Sequence, residues 1–157
     1  MKNNNPIITV IVINFNSGVY LTNCLIALKR QRYVNFQVIV ADNASDDQSF
    51  TKARRTVEAD DEASDGRFRF VPLSKNFGFA KSNNLMVSRV ETPFIALLNP
   101  DAIPDPEWLG NLVNAANSHP SVAMFGSTQV RLHDRSRYDG VGDNYLAIGV
   151  PWRGGYG

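Results

Sequence analysis

Four polar stretches hold the residues that could do chemistry, and each follows an apolar run: "NFNSG" from Asn14, "ADNASDD" from Ala41, "SKNFGFAKSNN" from Ser74 and "NPDA" from Asn99. Carboxylates and side-chain amides in such places can meet the edge of a base, a sugar hydroxyl or a phosphate. Asp42 follows Val38, Ile39, Val40 and Ala41, so its carboxylate should surface where a buried strand ends. There it could accept a hydrogen bond from an imide N–H, such as uracil or thymine N3–H, or from a ribose hydroxyl. An Asx-turn with Asn43 would use the same oxygens. Asp101 follows Pro100, which cannot donate to a ladder and holds Asn99 extended. Asp101 is then the first free side chain beyond a strand. A lone carboxylate placed so suits Mg2+ or Mn2+ on a diphosphate, with water and phosphate as the other ligands. A plain turn is the competing reading.

Several neighbours have local duties of their own. Asp105 before Pro106 reads as a helix N-cap followed by proline at the first helical position. Ser45 and Gln48 form an S-x-x-Q capping box, with Asp46 and Asp47 set for the first helical turn. Gly78 permits a tight turn, and Asn83 and Asn84 lie near a helix start, a plausible place for sugar or phosphate recognition. No G-x-G-x-x-G follows the first strand and no G-x-x-x-x-G-K-[ST] exists, which argues against a nicotinamide oxidoreductase and a P-loop NTPase. His119 and His133 lack the spaced partners of a zinc site. No Ser-His-Asp set has supporting spacing.

The elements that must position these residues alternate in type. "IITVIVIN", "FQVIVADN", "RFRFVPL", "PFIALLN" and "SVAMFGSTQV" read as strands. Between them "VYLTNCLIALKRQ", "DDQSFTKARRTVEADD", "AKSNNLMVSRV" and "PEWLGNLVNAANS" read as helices. This order predicts βαβ units and a mostly parallel sheet, with ligands bound beyond the carboxyl ends of the strands. Cys24 lies between Leu21, Leu25 and Leu28 on a helical stripe and reads as a core residue. "EADDEASDG" reads as a solvated loop. From Tyr138 a glycine-rich tail without helical period is expected to be structureless.

At 157 residues, 43% hydrophobic and 20% charged, the chain suits a soluble α/β domain. A net charge of +1 offers no basic surface for nucleic acid. One cysteine and no apolar run of membrane length favour a cytoplasmic setting.

Taken in order, "ITVIVINFNSGVYLTNCLIAL", "VIVADNASDDQS", "NFGFAKSNN" and "FIALLNPDAIPDPEWLGNLV" resemble glycosyltransferase family 2, and within it the bacterial rhamnosyltransferase-like branch. The resemblance implies a GT-A (Rossmann-like) α/β fold, a mostly parallel sheet with helices on both faces. It implies an inverting glycosyltransferase with a UDP- or dTDP-linked donor, dTDP-rhamnose among them, and Mg2+ or Mn2+. The acceptor would be a cell-surface glycan or lipid-linked glycan, with the enzyme peripheral to the inner membrane face. By position, Asn14, Asn16, Asp42 and Asn43 would serve the nucleotide. Asn76, Gly78, Asn83 and Asn99 would serve the donor sugar, and Asp101 the metal, as the last aspartate of the family's D-x-D. Lys81 and Ser82 depart from the small residues usual in that loop.

Such a chain would hold a nucleotide-sugar-binding domain over 1–130 and a glycine-rich loop, or the start of an acceptor-binding region, over 131–157. Family members place an acidic general base in the acceptor half. After Gly126 only Asp139 and Asp143 offer themselves, neither as a clear counterpart. A non-catalytic nucleotide-sugar-binding or interaction module is the alternative reading, and an unrelated flavodoxin-like domain a third.

Overall fold

Unbroken runs of Ile and Val make the centre of a sheet, because a strand covered on both faces has no polar side to show. The computed structural model describes residues 6–59, 66–140, 143–145 and 151–153. Strand β1 (Ile8–Asn14) is buried at all seven positions, and β2 (Phe36–Asp42) nearly so. They pair in parallel, Ile8 with Phe36 through Asn14 with Asp42. β3 (Phe68–Pro72) adds to β2 and β4 (Phe94–Leu98) adds to β1, giving an all-parallel order β3-β2-β1-β4. As an edge strand β4 is less covered: Ile95 and Leu97 remain exposed.

Helices cover both faces. The stripe Leu21, Cys24, Leu25 and Leu28 of α1 (Val19–Lys29) is fully buried. It joins Ala53 and Val57 of α2 (Ser49–Glu58) and Leu109 and Val113 of α4 (Trp108–Ser118) over Val10, Val12, Val38 and Val40. The opposite face buries Ile11, Ile13, Ile39 and Ala41 under Met86 of α3 (Phe79–Val87). Each fully buried leucine stabilises by about 1.5–3 kcal/mol. The expected α/β sheet with helices on both faces is thus the observed one.

Four local expectations are corrected. The S-x-x-Q box does not start α2. Gln48 adopts the left-handed conformation, φ 60°, and makes no side-chain cap bond, so the helix begins only at Ser49. Asp47 does the capping instead, its Oδ1 accepting Ser49 N–H at 2.9 Å. The fifth parallel strand is absent. Of "SVAMFGSTQV" only Gln129–Val130 is extended, as β5, pairing antiparallel with β6 (Tyr138–Gly140). Val122 and Met124 are exposed, so the burial that would hold a core strand there is not supplied. The tail is not structureless, because β7 (Asp143–Tyr145) pairs antiparallel with β8 (Pro151–Arg153). Antiparallel pairs need only local partners, which glycine-rich sequence tolerates in its turns. Most of "EADDEASDG" lies outside the described residues. Asp105 Oδ1 accepts Glu107 N–H at 3.1 Å, but Pro106 and Glu107 form a turn and α4 begins at Trp108, so Pro106 is not the first helical residue as expected.

The chain divides into two compact units, Met1–Val113 and Asn114–Gly157. The first holds the parallel sheet. Among the described residues no helix is long and apolar enough to cross a membrane.

Candidate functional site

All four strands of the parallel sheet end on the same side, and a cavity of about 460 Å³ opens there. Each strand end contributes to its wall. Phe15, Asn16, Ser17 and Tyr20 come after β1, Asn43 after β2, Asn76, Gly78 and Phe79 after β3, and Asn99, Pro100 and Asp101 after β4. Sequence reasoning anticipated Asn16, Asn43, Asn76, Gly78, Asn99 and Asp101. It missed Phe15, Tyr20 and Phe79, although all three are large apolar residues left about half exposed. An aromatic residue directly after a buried strand, as Phe15 is after Asn14, was the available signal. These rings can stack on a base or cover a sugar face.

Asn14, Asp42 and Asn83 are not among the lining residues. Asn14 is wholly buried and its Nδ2 donates to Asp42 Oδ1 at 2.8 Å. Asp42 is 8% exposed, and its carboxylate also accepts from Ser45, from the backbone N–H at 3.1 Å and from the hydroxyl at 2.7 Å. The turn partner is therefore Ser45, with Asn43 turned the other way. Asn83 is buried in α3, its Nδ2 donating to the Phe79 carbonyl at 3.0 Å. Asn76 and Gly78 lie with Asn43, whereas Asn99 lies with Asp101. The donor-sugar candidates thus separate into two groups at opposite sides of the sheet order.

Asn43 binds the loop after β3 to the sheet. Its Nδ2 donates to Asn76 Oδ1 at 2.8 Å, and its Oδ1 accepts Phe77 N–H and the Ser82 hydroxyl, both at 2.9 Å. Asn76 Oδ1 also accepts Gly78 N–H at 2.8 Å, closing a turn. Gly78 has φ 79° in open surroundings, so conformation and not crowding demands glycine. Replacing Asn43 by alanine should lower stability by about 2 kcal/mol, because buried partners lose their bonds. A urea midpoint that falls at unchanged slope is the check; an unmoved midpoint would show the loop held by other contacts.

The loops after β1 and β2 are tied together as tightly. Asn16 N–H donates to Ser45 Oγ at 3.0 Å, and Asn16 Oδ1 accepts Asp46 N–H at 2.9 Å. Gly18 N–H donates to Asp47 Oδ2 at 2.8 Å. Burial pushes the Asp47 carboxyl up, but the bonds from Ser49 and Gly18 together outweigh it and hold it below its ordinary value. Asn16, Ala44 and Gln48 all sit at positive φ. For Ala44 and Gln48 that costs about 1 kcal/mol each, strain of the kind that clusters at working sites.

On the other side Ala102 N–H donates to the Asn99 carbonyl at 3.1 Å, a turn that leaves Asp101 exposed on the cavity wall. Both readings of "NPDA" therefore hold together: it is a turn, and it presents a carboxylate. Beneath it the Cys24 thiol donates to the same carbonyl at 3.7 Å. Burial, followed by the Asp101 charge, pushes the Cys24 pKa up to about 12. Among the described residues no three His, Cys, Asp or Glu gather to cage a metal.

A parallel sheet with helices on both faces, its strand ends converging on one amide-rich cavity, is an α/β architecture of the GT-A type. The backbone agrees with the mannosyltransferase PcManGT of Pyrobaculum calidifontis, solved with GDP-Man and Mn2+, at TM-score 0.68 and 24% identity, over 84% of this chain and 38% of that one. Residues 1–349 of S. aureus TarS, solved with UDP-GlcNAc, agree at TM-score 0.63 and 23% identity, over 81% of this chain and 38% of that one. The chain belongs to glycosyl transferase family 2, whose model matches residues 9–149. In sequence it is 33% identical over 94 residues to a teichoic acid poly(glycerol phosphate) polymerase of Staphylococcus epidermidis, covering 60% of this chain and 12% of that one. It is 23% identical to an uncharacterized glycosyltransferase of Haemophilus influenzae, over 79% of this chain and 37% of that one. The chain therefore spans well under half the length of these relatives.

Proposed function

We propose that this chain is the donor-binding part of an inverting glycosyltransferase that takes a nucleotide-diphospho-sugar, UDP- or dTDP-linked, with dTDP-rhamnose among the donors. The observation that carries the reading is Asp101, an exposed carboxylate on a cavity wall whose other lining residues are all uncharged. Its chemistry suits a hard divalent cation, Mg2+ or Mn2+: one exposed carboxylate, and too few protein ligands among the described residues to hold the ion without phosphate. Asp101 would hold the cation, which when bound neutralises charge on the departing diphosphate, and Asn99 would serve the donor sugar. Asp42, fixed by its hydrogen bonds to Asn14 and Ser45, would accept the imide N–H of the base. Phe15 would lie against the base, and Asn16, Asn43, Asn76 and Gly78 would line the path between.

The acceptor in this reading is a cell-surface glycan or lipid-linked glycan, reached by an enzyme peripheral to the membrane. Deprotonating its hydroxyl needs a base, and Asp101 is the sole carboxylate among the lining residues. That observation favours a second reading, a module that binds nucleotide sugars without turning them over. Calorimetric titration with UDP-, dTDP- and GDP-sugars in Mn2+ tests the binding, and absence of heat with all of them overturns it. Transfer assays on the same protein then separate the readings, since glycosyl transfer eliminates the non-catalytic one.

A further inference from the structure

Asn14, the last residue of β1, is wholly buried and uses only one side of its amide. Its Nδ2 lies 2.8 Å from Asp42 Oδ1, 3.0 Å from Ser45 Oγ and 2.8 Å from Ser49 Oγ. Three acceptors thus compete for two protons, while Asn14 Oδ1 is buried without a partner among the described residues. Turned over, the amide would set its oxygen against the Asp42 carboxylate, and that repulsion fixes the orientation seen. The residue is therefore present as a donor, and its acceptor goes unused. Like Asp42, it is not among the residues lining the cavity, and its contact in that direction is the bond to Asp42.

We infer that Asn14 is a positioning residue which acts on the nucleobase through Asp42, holding that carboxylate as a fixed acceptor without touching the ligand. The inference rests on the proposed meeting of Asp42 with the base. It replaces the expectation that Asn14 lines the nucleotide pocket.

Charge makes it testable. Asn14→Asp has nearly the same shape but sets a second carboxyl against Asp42, and two such groups share one proton until the pH is raised. Around Asp42, β1 presents the neutral Asn14, α2 presents Ser49, and β3 presents Pro72 in register. The loop after β2 adds Asp46 and Asp47, both acidic, which would raise the shared proton's affinity further. While protonated, the introduced carboxyl can donate to Asp42 as the amide does; once ionised, it repels it.

The experiment is calorimetric titration of UDP, dTDP and GDP with Mg2+ into the wild-type chain and the variant at several pH values. The terminal phosphate of each nucleotide itself titrates at about pH 6, so the readout is the ratio of variant to wild-type affinity at each pH. For Asn14→Asp that ratio should fall about tenfold from about pH 5.5 to about pH 8, the equivalent of roughly one pKa unit of coupling. A ratio that does not change with pH overturns the inference. A wild type that binds none of the three overturns the reading of the site, and the inference falls with it.

Should Asn14→Asp fail to fold, Asn14→Ser and Asp42→Asn, alone and combined, decide the matter. Positioning requires that Asn14→Ser add nothing once Asp42→Asn is in place. Additive losses mean that Asn14 contacts the ligand itself and overturn the inference.

Discussion

Asp101→Ala will abolish the part of nucleotide-sugar stabilisation that depends on a divalent cation. At a hundred times its dissociation constant, a ligand stabilises the folded state by about 2.7 kcal/mol. For a chain of this size that raises the melting temperature by roughly 5–10 °C. In the wild type, chelating Mn2+ should remove most of the rise. In Asp101→Ala the rise should be the same small value with Mn2+ and with chelator. The ligand-free melting temperature should not move, because the carboxylate is exposed and sits on a turn closed by backbone atoms. This split between free and bound stability separates a ligand-binding role from a structural one. A variant that keeps the Mn2+-dependent rise would remove Asp101 from the metal site and return it to being a turn residue.

Leu25→Ala will destabilise the chain by about 3 kcal/mol, within the 2–5 kcal/mol usual for a leucine removed from a packed core. Leu25 is fully buried at the middle of α1 and packs in the cluster that includes Val10, Val12, Val38 and Val40. The sheet beneath is fixed by three parallel ladders and cannot collapse onto the void, so the cavity term should be nearly fully felt. Chemical denaturation with the slope held constant measures it. A loss below about 1 kcal/mol would mean that α1 can sink to refill the space. Binding should weaken as well, since Ser17 and Tyr20 are carried by the loop that starts this helix and by its first turn.

Wherever periodicity met burial, the elements were legible. Ile8–Asn14 and Leu21–Leu28 show why: a strand hidden on both faces needs unbroken apolar sequence, and a helix over a sheet needs a stripe. "SVAMFGSTQV" has the same texture without the burial, and composition cannot tell the two apart. At Asp105 the side-chain bond to a following N–H was legible, but the turn through Pro106 and Glu107 delays α4 to Trp108. Capping was not legible at Ser45, whose hydroxyl is drawn to Asp42 by charge and so lost to the helix. For the site, six of the residues named by the strand-end rule lie on the cavity wall, because topology alone carries them to one place. It could not say which amides face outward. Asn14 and Asn83 look as available as Asn16 in sequence, yet hydrogen bonds to Asp42 and to Phe79 turn them inward.

The thiol under the Asn99 turn gives the molecule a clock. With a pKa of about 12 and no exposure, Cys24 cannot present a thiolate to an electrophile while α1 is seated. Alkylation at neutral pH then proceeds only through the moments when the helix lifts from the crevice floor, so its rate counts those openings. Because the chain has a single cysteine, every modified molecule records one such event at one place. A chemical reagent thereby reads the breathing of the floor on which Asp101 stands, in ordinary solution and without any label built in.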